Sequence, residues 1–158
     1  MKTSVLWLSA FLLGATLAAP GALAVDNVTS RDAPDLTVVR AKIKAKDFKA
    51  AIAELTPMLE TYQHADVYNL MGFSLRKTGD HKQAYTFYRK ALDFDPEHKG
   101  ALEYLGELYV ETGQVDKARE NIVLLKKLCP GGCEELADLE QAIASAAPRA
   151  SAVPPKTN

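Results

Sequence analysis

The 158-residue sequence predicts an all-α solenoid of three stacked helix pairs closed by a C-terminal capping helix. Three observations predict it. Displacing the sequence against itself by 34 residues aligns Gly72 with Gly106, Gly79 with Gly113, Ala84 with Ala118 and Pro96 with Pro130. Apolar residues recur three and four apart along Tyr68 to Lys77 and again along Ala84 to Leu92, the spacing of amphipathic helices. Gly79, Gly113, Pro96 and Pro130 fall between the periodic stretches, where the chain must reverse.

Residues 1–24 read as an export signal. Lys2 gives a positive start, Val5 to Ala18 is an almost unbroken apolar run, and Ala22-Leu23-Ala24 offers small residues for cleavage between Ala24 and Val25. The run is broken too early by Pro20-Gly21 to favour an uncleaved membrane span. A bacterial style of signal points to the periplasm or to secretion. Residues 25–34 form a linker, and the glycosylation-type triplet Asn27-Val28-Thr29 reads as part of that solvated stretch.

The helical domain spans residues 35–146. Its first repeat, about 34–64, is degenerate: Asp47 aligns with Asp80, Ala51 with Ala84, Leu55 with Tyr88 and Met58 with Ala91, at an offset of 33. Val39 stands where the later repeats have a packing glycine, and Pro57 falls inside the second helix, where it removes one backbone bond and is expected to bend the chain. The second repeat, 65–98, has Gly79 to stop its first helix and Asp80 with Gln83 as a capping-box-like start for its second. The third, 99–132, repeats this plan. The capping helix, 133–146, carries Leu136, Leu139 and Ile143 on one stripe and Asp138, Glu140 and Gln141 on the other, with Glu134 and Glu135 at the positive end of its dipole. Residues 147–158, with Pro148, Pro154 and Pro155 among small residues, are expected to be a disordered tail.

Glycine at repeat position eight, alanine at twenty, an aromatic or aliphatic residue at twenty-four, alanine at twenty-seven and proline at thirty-two resemble the tetratricopeptide repeat. Residues 65–98 match each of these positions; residues 99–132 depart once, at Leu125. The strings Gly72 to Asp80, Glu103 to Tyr109 and Cys129 to Glu135 are similar to a small group of exported proteobacterial repeat proteins. The family resemblance implies a concave groove lined by the first helix of each pair. It places Arg40, Ile43 and Lys44 there from the first repeat. Asn69, Leu70, Phe73, Arg76 and Lys77 come from the second, and Glu103, Tyr104, Glu107 and Glu111 from the third. Such a groove runs from basic to acidic, with Phe73 and Tyr104 as aromatic anchors for affinity. An alternative is that Arg76 and Glu107 simply pair between neighbouring repeats. The Lys/Asn arrangement with which some members clamp a C-terminal carboxylate is not reproduced.

The remaining residues argue against chemistry. There is no glycine-rich nucleotide loop, His-Glu-x-x-His pair or Gly-x-Ser-x-Gly elbow, so no catalytic residues, metal or cofactor are expected. Removing residues 1–24 takes away one lysine and no acid, leaving 18 basic residues against 20 acidic, without the basic excess of a nucleic-acid binder. Cys129 and Cys133 flank Pro130-Gly131-Gly132, a turn that brings the two sulfurs together; in an oxidising compartment a local disulfide is expected. His64 and His98 end their repeats and are expected on the same edge as the cysteine turn, where the spacing of successive repeats disfavours joint metal coordination, and His81 reads as a solvated residue. The predicted function is therefore a non-catalytic scaffold for a protein or peptide partner. The alternatives are a self-assembling structural repeat protein and a redox or copper accessory protein using Cys129 and Cys133.

Overall fold

The reversal of the chain between paired helices sets the architecture, and it is built the same way three times. In the computed structural model, which describes residues 33–146, the chain turns at Ala45-Lys46-Asp47, Thr78-Gly79-Asp80 and Thr112-Gly113-Gln114. At each turn the middle residue is left-handed: φ is 60° at Lys46, 89° at Gly79 and 76° at Gly113. The next amide then donates back to the carbonyl five residues earlier, Asp47 to Lys42 and Asp80 to Leu75 at 2.9 Å, and Gln114 to Tyr109 at 2.7 Å. This closure satisfies carbonyls that a helix end would otherwise strand.

The turns join α1 (Thr37–Lys44) to α2 (Phe48–Thr61), α3 (Ala65–Lys77) to α4 (His81–Phe94), and α5 (Lys99–Glu111) to α6 (Val115–Leu128); α7 (Glu134–Ala146) follows. Asp47 and Asp80 cap α2 and α4 by accepting from the Ala50 and Gln83 amides at 3.1 and 3.0 Å. α2 runs through Pro57 as one helix, since proline costs a single backbone bond there and Leu55 and Ala51 anchor the helix in the core. Among the described residues there is no strand. The predicted signal segment and the C-terminal tail lie outside them.

Packing is between sequential neighbours, with two additions: α7 lies against α5 as well as α6, and α3 touches α5. One apolar core runs through the stack from Leu36 and Val39, past Val67, Met71, Tyr88 and Leu105, to Leu125 and Leu139. α3, in the middle, is buried almost all round. A Cβ on Gly72 would meet the Tyr88 ring at 2.7 Å, and one on Gly106 would meet Leu139 at 2.5 Å. Both glycines are thus required by close approach, yet their partners differ. Gly72 receives the second helix of its own pair, whereas Gly106 receives α7, with the smaller Ile122 standing where the second repeat has Tyr88. α7 therefore docks like the first helix of a further pair. Asn121 fastens α6 to α5 by donating to the buried Leu102 carbonyl at 2.8 Å.

Lys46 bears a side chain in a conformation that costs L-residues about 1 kcal/mol or more. Lys46→Gly is expected to stabilise the protein by about 0.5–1 kcal/mol, whereas Gly79→Ala at the matching turn should destabilise it by about 1 kcal/mol. Urea-denaturation midpoints of the two variants should move in opposite directions.

Candidate functional site

Because first helices sit side by side, their polar residues face one flank of the stack. There a cavity of about 280 Å³ opens between α1, α3, α5 and α7, lined by Arg40, Asp66, Asn69, Glu103, Tyr104 and the α7 carboxylates among others. It continues into a cleft of about 310 Å³ formed by Glu107 and by Asp138, Gln141 and Ser145 of α7. Glu134, Glu135 and Asp138 were not assigned to the groove from the sequence. The signal lay in the alignment of α7 with the first helices, since Asp138 follows Leu136 much as Tyr104 follows Leu102.

The predicted groove residues do not all meet in the cavity. Arg40, Asn69, Glu103 and Tyr104 line the cavity. Arg76 is buried, its side chain only 2% exposed, and it joins three helices. Its Nε donates to the Tyr88 hydroxyl at 3.3 Å, one Nη to Glu111 at 2.6 Å, and the other to Glu107. The guanidinium also lies 5.7 and 5.8 Å from the Phe73 and Tyr104 ring centres. Arg76 is therefore committed to the fold, as the pairing alternative anticipates. Phe73 is half-buried against Phe48 and Tyr104, at centroid distances of 6.0 and 4.8 Å, with Lys77 Nζ 5.2 Å from its ring. Lys44 is exposed and Ile43 half-buried, both beyond the cavity lining, and Leu70 lines the cavity with its backbone neighbours in the core.

Asp66 is the electrostatic hinge of the upper rim. His98 Nε2 lies 3.0 Å from its Oδ1, and that hydrogen bond holds the Asp66 carboxyl below the usual range against the opposing effect of burial, helped by the charges of His98, Arg40 and His64. His64 and His98 serve as helix caps: their Nδ1 atoms accept from the Asp66 and Ala101 amides at 3.2 and 3.1 Å. A wider cleft of about 610 Å³ lies beside them, walled by Gln63, Phe94 and Asp95. No cluster of three or more metal-ligating side chains occurs among the described residues.

Glu103 is in an unusual state. Burial pushes its pKa up to about 8, and the nearby carboxylates of Glu107, Asp138 and Glu135 push in the same direction. Burial, then Glu103 and Glu107, raise the Tyr104 phenol to about 12. Cys129 and Cys133 bring their sulfurs to disulfide distance, with Cα atoms 6.0 Å apart, across a turn in which Gly132 adopts φ 88°.

Residues 75–127, from the end of α3 to the end of α6, match a family described as tetratricopeptide repeat. The stack is an all-α solenoid of that type. The chain is also similar to the BBSome complex member BBS4 of Bos taurus, with 34% identity over 80 residues, which make up 51% of this chain and 15% of that protein. It thus spans a small part of that relative's length.

The raised Glu103 value fixes the sign of a pH effect. Between its ordinary 4.5 and about 8 the unfolded chain has released this proton while the folded chain keeps it, so the group makes stability fall as pH rises through that window. Glu103→Gln should flatten this fall, and thermal midpoints should show the variant gaining a few degrees on the parent at pH 8 and much less near pH 5.

Proposed function

We propose that this protein is an exported scaffold that holds a protein or peptide partner in the groove between its first helices and performs no catalysis. The observation that carries this reading is the open cavity between α3, α5 and α7, where Tyr104 is half-exposed among polar side chains while the residues around it are locked into the core. A half-buried aromatic on a rigid wall offers contact area with little conformational entropy left to lose. The repeat match supports a binding role, and the relative's printed name makes that protein a member of a complex. Export is supported by the sequence of residues 1–24 and by the Cys129–Cys133 pair, which suits an oxidising compartment. Among the described residues no helix is long and apolar enough to cross a membrane. We read the cysteine pair as a structural clip, since two ligands alone seldom hold a copper ion.

Cross-linking in native extract, followed by identification of what is joined, tests the binding reading. Tyr104→Ala is expected to reduce partner capture about tenfold while leaving the helical circular-dichroism signal near the parent's. Capture that is indifferent to Tyr104 would remove the groove as the binding face. For the clip, thiol titration of the exported protein should find no free thiol. Reduction should lower stability by about 2 kcal/mol at most, because the closed loop is very short; free thiols that retain copper would favour the accessory role.

A further inference from the structure

Glu103 of α5 and Glu135 and Asp138 of α7 line one cavity with Asn69 of α3. None of these carboxylates forms an ion pair among the described residues. The nearby cations are engaged elsewhere: Arg40 faces Asp66 at 3.9 Å, and Arg76 is held by Glu107 and Glu111. A group of acids alone is explained by solvation. Glu103 is not, because it is only 7% exposed and its carboxylate has neither a hydrogen bond nor an ion pair among the described residues. A buried acceptor without a donor is unfavourable, and a cation brought in through the cavity supplies the missing donor.

We propose that this cavity seats the lysine or arginine side chain of a basic protein segment, its cation among Glu103, Glu135 and Asp138. The proposal rests on the groove being the binding face and names the chemistry of what it takes. Charge supplies the choice of partner. The cavity lining carries Asp66, Glu103, Glu134, Glu135 and Asp138 against Arg40, so an acidic segment meets repulsion where a basic one meets unpaired acceptors. Tyr104 walls the same space. The site also couples binding to a proton. Glu103 faces Glu107 on its own helix, Glu135 and Asp138 on α7 and Arg76 on α3, with Asp66, His98, Arg40 and Glu134 around the same cavity. Near neutral pH it holds a proton that an arriving cation displaces, so affinity rises with pH up to about 8 and binding releases a proton.

Titration calorimetry of the intact chain with a blocked oligolysine peptide, and with an oligoglutamate peptide of equal length, tests this. Oligolysine is expected to bind and oligoglutamate not to. Heats measured in buffers of different ionisation enthalpy should reveal proton release near pH 7. Glu135→Gln with Asp138→Asn, the first half-buried and the second exposed on α7, should weaken oligolysine about tenfold. The control Asp93→Asn with Glu97→Gln removes equal charge from exposed positions outside the cavity and should leave affinity unchanged. Absence of oligolysine binding, or equal weakening by both double variants, overturns the proposal. If a natural partner is captured through Tyr104 but is indifferent to Glu135 and Asp138, the cation seat falls while the groove reading stands.

Discussion

Tyr88 can lie against α3 because residue 72 has no side chain, and much of the molecule depends on that contact. With the ring seated, its hydroxyl accepts from Arg76, whose remaining donors reach Glu107 and Glu111 on the next pair. One missing methyl group thus connects the packing of α3 on α4 to the docking of α5. Burial drives the Tyr88 phenol above its usual range, so the hydroxyl stays neutral as an acceptor for the guanidinium. A buried arginine is costly to desolvate, and its return is geometric: a planar fork that accepts only one relative placement of three helices.

The same centre decides what the groove can offer. Arg76 offsets one of the two charges of Glu107 and Glu111 from within, and the α7 carboxylates carry most of the groove's remaining negative potential, with Glu103 joining them once it loses its proton at about pH 8. Its far end is shaped by Asp66, which is tied to Arg40 and His98. The basic-to-acidic gradient expected from the sequence is therefore uneven: Arg76 is spent inside the fold, and the acids gather next to the C-terminal helix.

The fold was legible because its constraints are local or periodic. Gly79, Gly113, Asp80, Pro96 and Pro130 state where helices end, and the recurrence of Gly72 at Gly106 and of Ala84 at Ala118 states that the units are alike. Lys46 hid the first turn, since a lysine gives no sign of left-handed backbone, though Asp47 marked the cap beside it. The site was less legible for a different reason. Periodicity says which residues share a helix face but not which neighbour that face meets. Nothing in the sequence of α5 says that Gly106 awaits Leu139, and nothing in Arg76 announces burial, because the acids that make burial tolerable lie more than thirty residues away. Asp138 looked like the solvated side of a cap for the same reason.

In α7, what holds the helix and what it presents are separate residues. Leu136 and Leu139 fix it against α5 and α6, while Glu134, Glu135 and Asp138 face outward into the cavity. Substitutions at those three positions leave the hydrophobic contacts untouched. Under the proposed binding role, ligand preference can therefore drift, or be engineered, independently of folding, with the last helix an exchangeable selector on an otherwise constant frame.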